Sequence, residues 1–279
     1  MSVLTKKIDF VALVTVTMAN SNGDPLNGNR PRTDYTGHGE ISDVCIKRKI
    51  RNRMQDLGHS IFVQSDDRCD DGFGSLSARA SAALKGIKDR AEYTRKACEL
   101  WTDVRSFGQV FAFKDKESVS AGVRGPVSIH QAVSASQVEV VSMQITKSVN
   151  GDPSEKRSSD TMGSKHMVRF GLYQIKGSIN VQLAQKTGFT EEDAALIKEC
   201  LRTLFENDAS SARPDGSMEV YRLYWWEHAS ASGQYSSAKV HRSLKVSLKP
   251  DVRFPTSVDD YDIALDPLPG LEPEIIDGL

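Results

Sequence analysis

The 279-residue chain reads as an α+β protein of ferredoxin-like type with insertions, because its elements follow the order strand, helix, strands, strand, helix, strand. Three observations carry that reading. Residues 8–18 form a short β-branched run closed by turn residues, the mark of a buried strand. Residues 42–57 and the run from Thr190 carry helical apolar stripes behind capping residues. Strand-like stretches lie between and after these helices. Such a fold presents one sheet face for binding.

Each element has a local cause. After the first strand, the run Asn20-Ser-Asn-Gly-Asp-Pro through Arg32 is packed with residues that fix turns or accept positive φ, so it is a long, structured connection. Ser42 and Asp43 then cap a helix whose apolar stripe is Ile46, Ile50, Met54 and Leu57, with Lys47, Arg48 and Arg51 on the other side. Residues 62–83, rich in Asp, Gly and Ser, read as an irregular insertion, and 89–101 as helix. Residues 103–113 and 127–145 are strand-like, the second containing a bulge or hairpin where its register changes between 133 and 138. Residues 146–167 hold almost nothing able to face a core and therefore project or are disordered. Strand character returns over 168–183, with Gly171 and Gly177 as bends or bulges. Thr190 caps the second helix with Asp193 reaching back, and Ala194, Ile197, Leu201, Leu204 and Phe205 form its apolar face. A last strand, 219–226, precedes a Ser-rich loop, the segment 241–248 and a Pro-containing acidic tail over 250–279. The aromatics of 221–228 are expected to fill a core rather than stack on bases.

With 39% hydrophobic and 26% charged residues and a mean hydropathy of −0.40, the composition is that of a soluble globular protein. Collagen-like, disulfide-scaffold, disordered and membrane-spanning classes are excluded. Lys6 and Lys7 before an apolar run imitate a signal peptide, but Asp9, the β-branched residues and the polar turn at Asn20 argue against one. Cys45, Cys69, Cys98 and Cys200 lie far apart without a Cys-x-x-Cys pair, so reduced thiols and a cytoplasmic location are expected, and no zinc site. Net charge is −1, yet residues 250–279 hold eight acids against Arg253 alone. The other 249 residues carry 35 bases and 29 acids, or +6. That division fits a polyanion-binding body and equally a solvated tail on an ordinary surface.

Catalytic signatures are missing: no phosphate loop, Gly-x-Gly-x-x-Gly, His-Glu-x-x-His or Gly-x-Ser-x-Gly occurs. The oxygen-rich run 20–34 lacks calcium-loop spacing. No cofactor and no metal are expected. Among six scattered histidines, His130 and His166 are the candidates for a general base toward an RNA 2′-hydroxyl, although a lone histidine is more often structural. The binding signal is stronger. Arg30, Arg32, Lys47, Arg48 and Arg51 fall within 22 residues on a turn-rich loop and the helix it feeds, where guanidinium forks and the amides near Asn22, Gly23 and Gly28 can follow a phosphate backbone. A second basic element, Lys147, Lys156, Arg157, Lys165 and His166, adds Met162 and Met167 as apolar wedges between bases. It reads as a nucleic-acid clamp or a mobile surface loop.

Several segments resemble the backbone subunit of the type I-C CRISPR Cascade surveillance complex, in the RAMP superfamily. They are Asn20-Ser-Asn-Gly-Asp-Pro, Gly28-Asn-Arg-Pro-Arg-Thr-Asp34, Asp43 to Arg51, Asp103-Val-Arg-Ser-Phe-Gly108, Gly125-Pro126-Val, Thr161-Met-Gly-Ser-Lys165, Gly171-Leu-Tyr173 and Thr187 to Asp193, in order over about residues 8–228. The resemblance implies a modified RNA-recognition-motif palm over 1–249, a finger insertion near 62–102, a thumb hairpin near 146–167, and an acidic tail, 250–279, outside the match. It implies a non-catalytic subunit, many copies of which line one CRISPR RNA and display it for pairing with target DNA in antiviral defence. The partners implied are CRISPR RNA, target DNA through the guide, neighbouring copies, and the RNA-end-binding and processing subunit and large subunit of Cascade, with no membrane. Loop 20–34 and the basic face of helix 42–57 become palm contacts. The alternative is a metal-independent RAMP-type RNA endonuclease using His130 or His166.

Overall fold

The computed structural model describes residues 2–113, 119–146 and 162–279. The chain begins with β1 (Ile8–Ala19), then β2 (Gly23–Asp24), β3 (Arg30–Pro31) and β4 (His38–Ile41) before helix α1 (Asp43–Asp56). An insertion follows: α2 (Leu76–Ala83), α3 (Arg90–Leu100), α4 (Thr102–Phe107), β5 (Gly108–Phe111) and β6 (Ala121–Arg124). Next come β7 (Val127–Ile129), β8 (Ala132–Gln137), β9 (Val140–Thr146) and the 18-residue β10 (Met162–Ile179). Helices α5 (Val181–Thr187) and α6 (Glu191–Arg202) lead to β11 (Met218–Glu227). The C-terminal segment is α7 (Ser237–Ser243), β12 (Leu244–Leu248), β13 (Tyr261–Leu265) and β14 (Glu274–Asp277).

The mixed α/β architecture is built on one large antiparallel sheet in the order β14-β11-β1-β10-β8-β4, with β7 and β9 also paired along β10. β1 is central because nine of its twelve residues are apolar or aromatic, so it tolerates burial on both faces. Its alternate residues Phe10, Ala12, Val14 and Val16 join α1, α5 and α6 in the larger core, while Val11 and Leu13 join Tyr224, Trp226, Val240 and Tyr261 in a second core on the opposite face. The expected free sheet face is therefore not there: α7, the β12–β13 hairpin, Leu268 and Leu271 cover it. Of these, β13, Leu268 and Leu271 come from the acidic segment, which packs on the body because it places apolar residues at inward positions, such as Tyr261, Leu268 and Leu271. Its β14 pairs with β11 at the sheet edge.

The caps are as expected. Ser42 Oγ accepts from Cys45 N, and Thr190 and Asp193 make a reciprocal capping box. Leu57 is the exception in its stripe, lying 41% exposed where α1 ends.

Three expectations change. Residues 102–107 are helix, not strand, because Asp103 and Arg105 are aimed at different partners: Asp103 accepts from Phe62 N, Val63 N and Arg51 Nε at 2.6, 3.1 and 2.8 Å, whereas Arg105 grips Asp193 with two bonds of 2.8 Å. Residues 62–83 are not wholly irregular: Phe62 is fully buried and, with Trp101 and Phe111 at ring distances of 4.7 and 5.2 Å, nucleates a separate core that runs to Ala121. Gly171 and Gly177 make no bulge, since β1 and β10 keep one register from Ile8↔Ile179 to Ala19↔Val168. Gly177 instead makes room: a Cβ there would lie 2.2 Å from Phe10 Cζ and 2.6 Å from Ser128 O, and Phe10 is held on its other side by stacking on Trp225.

Removing Asp103 strands the Arg51 guanidinium, whose side chain is only 12% exposed. Asp103→Ala is thus expected to lower stability by about 3–5 kcal/mol, as for a broken buried ion pair, measured by urea unfolding. Gly177→Ala is expected to cost about 1–3 kcal/mol through overpacking, and an unchanged midpoint in the same experiment would show that Phe10 has room to move.

Candidate nucleic-acid interface

The loop between β1 and α1 is rigid by construction. Asp24 Oδ1 accepts from Leu26 N, capping a single 3-10 turn, and Gly28 and Asn29 both take left-handed φ of 57° to reverse the chain. Gly23 is needed here, because a Cβ would fall 2.0 Å from Asn29 Oδ1. Asn20 Nδ2 donates to Asn29 O at 2.7 Å, and Asn22 Oδ1 accepts from Ser42 N at 2.9 Å, which ties the loop to the first turn of α1. Asn22 and Gly23 thus shape the loop. Farther on, Asp34 Oδ1 accepts from Thr36 N, Thr36 Oγ1 and His38 N. The Thr36 hydroxyl above all holds the Asp34 carboxyl below its usual range.

Arg30 leaves this loop and reaches the foot of the β9–β10 hairpin. Its Nη1 donates to Ser142 Oγ at 3.0 Å and to His166 Nδ1 at 3.2 Å, while Ser142 and His166, cross-strand partners, approach to 2.9 Å. With an arginine N–H directed at it, His166 Nδ1 serves as the acceptor of this trio. Arg30 has no carboxylate partner among the described residues, nor has Lys165, which lies opposite Met143 on the hairpin. Cations held by neutral groups keep their capacity for a phosphate oxygen. Arg30 and His166, far apart in sequence, are thereby brought together, while Lys165 lies on the opposite face of β10 from His166.

The helix contributes less than its charge implies. Lys47 is bonded to Asp43 at 2.9 Å, and Arg32 lies 3.4 Å from Asp24. Arg48 and Arg51 do not project freely, a correction to the expected basic face. Arg48 Nη1 donates to Val63 O at 2.9 Å, with burial first and the charge of Arg51 second lowering its pKa. Arg51 is bound to Asp103 and lies 5.1 Å from the centre of the Phe107 ring. The insertion uses both to dock against α1. Met167 is buried, 4% exposed, and so is no wedge. Met162 opens β10 opposite Thr146, and Lys147, Lys156 and Arg157 lie outside the described residues.

Sequence reasoning missed other exposed groups. Leu26 is 98% and Tyr35 100% exposed at the tips of the two turns, and Met143 and Ile145 stand out from β9. Alternation within 140–146 held the signal for the last two. Ser142 was invisible because its role depends on cross-strand pairing. His130 is exposed, its ring edge-on to His241 at 5.5 Å. Among the described residues no group of three His, Cys, Asp or Glu side chains could hold a metal ion, and no helix is long and apolar enough to cross a membrane.

Comparison with known proteins agrees with this architecture. The family described as CRISPR-associated protein Cas7 matches residues 6–266. A CRISPR-associated protein Cas7 of Haloferax volcanii is 24% identical over 226 residues, which cover 72% of this chain and 65% of that protein, just under two thirds of its length. A chain of a solved structure titled "CRISPR RNA-guided surveillance complex, pre-nicking" superposes with a TM-score of 0.53 at 16% identity, covering 89% of this chain and 84% of that one, and so shares the fold. With the match running through both cores and the basic loop, the chain belongs to the CRISPR-associated protein Cas7 family.

Proposed function

We propose that this protein is a non-catalytic backbone subunit that binds CRISPR RNA and lines up head to tail along it, within a surveillance complex of type I-C. The observation that carries the reading is the convergence of Arg30 with Ser142 and His166, which joins a rigid basic loop to the foot of a projecting hairpin. A single RNA strand crossing that junction meets guanidinium and imidazole donors on one face of the hairpin, with the Lys165 ammonium on its other face. Base pairing with target DNA then supplies sequence specificity, and the protein reads backbone and shape.

The palm of this reading is a modified RNA-recognition motif. The order β11-β1-β10-β8, with α1 and α6 on one face, supports it. The finger corresponds to the segment with its own core, from Phe62 to Ala121, and the thumb to the β9–β10 hairpin. A head-to-tail contact that does not close gives a filament along the RNA. The remaining partners are the other subunits of such a complex, in the cytoplasm.

Size-exclusion chromatography with light scattering, with and without CRISPR RNA, tests this. RNA-dependent assembly is expected, and loss of it in Arg30→Ala/Lys165→Ala, both outside the Asp103 anchor. Each phosphate contact removed is expected to lower the slope of log K against log salt by about 0.7; an unchanged slope would place the RNA elsewhere. His166→Gln is expected to leave the length of bound RNA unchanged, as is the parent protein. Shortened RNA released by the parent but not by His166→Gln would establish the endonuclease reading instead.

A further inference from the structure

Beside the hairpin foot, where β8 passes into β9, lies a cavity of about 280 Å³. Val138 and Glu139 form one wall, Arg169 and Phe170 of β10 another, and Arg253 and Phe254 its third side. The volume falls just below the range of about 300–1,000 Å³ that drug-sized ligands occupy, so it suits a smaller flat group. Phe254 is 62% exposed, and the Arg253 guanidinium lies 5.2 Å from its ring centre. Arg253 is also the one base in the stretch 250–279, against eight acids. Its place is this cavity. Arg169 is aligned by a 2.8 Å ion pair with Glu139, which leaves the lining with two cations and one anion.

The cavity adjoins the candidate interface. Val138 N donates to Gly37 O, which fixes one wall to the turn that closes the basic loop. Arg169 follows His166 by three residues on β10, about 10 Å along an extended strand. An exposed aromatic ring and two guanidinium planes beside a basic track match what single-stranded nucleic acid requires: a platform for a base and cations for its backbone.

We infer that this cavity receives one unpaired nucleobase of single-stranded RNA, stacked on Phe254, with Arg253 and Arg169 facing the flanking phosphates. The inference rests on the RNA-binding reading above and names a contact made by the C-terminal segment. It separates two kinds of contact: Phe254 contributes stacking and no charge, so its loss weakens affinity without altering salt dependence.

The test is fluorescence anisotropy of a fluorescein-labelled oligouridylate with the full chain, its Phe254→Ala and Phe254→Trp variants, and Arg30→Ala. Exposure of Phe254 leaves the cores untouched, and circular dichroism checks this. Phe254→Ala is expected to weaken binding about tenfold, the scale of one stacked base, with an unchanged salt slope. Phe254→Trp is expected to retain affinity and to show indole quenching on binding that the parent chain lacks. If Arg30→Ala weakens binding while Phe254→Ala equals the parent, the cavity is overturned and the RNA-binding reading stands. If the parent does not bind at all, that reading falls first. If Phe254→Ala binds RNA normally but forms shorter RNA-driven assemblies, a neighbouring copy occupies the cavity, which also overturns the inference.

Discussion

The buried carboxylate of Asp103 is the joint on which the arrangement turns. It is fully buried and accepts two backbone N–H groups from the chain entering the insertion and one guanidinium N–H from α1. These three donors supply what a buried carboxylate requires. Two residues later Arg105 holds Asp193, whose carboxylate also closes the α6 capping box. One turn of helix therefore fastens the insertion to both main helices. Gly108 and Gly125 complete the joint: a Cβ on Gly108 would lie 2.4 Å from Val123 O, and one on Gly125 2.3 Å from Ser106 O. Two of the segments by which the chain resembles its family, 103–108 and 125–127, are thus largely structural hardware.

That hardware explains why charge on α1 is a poor guide to binding. A helix with Lys47, Arg48, Lys49, Arg51 and Arg53 looks like a phosphate rail, yet Lys49 is bound to Asp208, Arg53 reaches Thr203 and Glu206, and Arg51 is held by Asp103. Burial lowers the Lys49 pKa, with Asp208 opposing it. The cations are consumed in attaching α1 to the insertion and to the α6–β11 connection. What remains for a polyanion is Arg30 where the loop meets the hairpin, its acceptors there being hydroxyl and imidazole rather than carboxylate.

Elements whose cause is local were legible in the sequence. Ser42 and Thr190 cap the helices they were expected to cap, and β1 follows from its β-branched run. The strand order became visible only in space, and so did the second core, because the alternating apolar residues of its covering hairpin, Leu244, Val246 and Leu248 with Tyr261, Ile263 and Leu265, sit in two five-residue strands within and beside an acidic segment. Helix 102–107 was hidden for a related reason. Asp103 and Arg105, two apart, would share a face in a strand; their partners lie in different directions, which a helical turn accommodates. Of the site, Arg30, Lys165 and His166 were legible as basic residues, whereas the convergence of Arg30 with His166 needed the pairing of His166 with Ser142.

With both faces of the sheet filled, a ligand is left the rims, and the chain prepares one of them with a strained step. In β1 the inward residues alternate through Val16, but Ala19 faces the same core as Val16. The phase reverses at Met18, which takes φ of 49° and is 41% exposed. A bulky residue in the left-handed region is held there only by its surroundings, and such strain gathers at functional sites. Here the register resumes at once with Ala19 opposite Val168, so the sheet absorbs the step while the chain is redirected into the loop that carries Arg30. Without that reversal Ala19 would point into the C-terminal layer, and the Asn20–Asn29 bond that shapes the loop would start from the wrong face. The reversal at Met18 thus lies two residues before Asn20, whose bond to Asn29 O shapes the loop that carries Arg30.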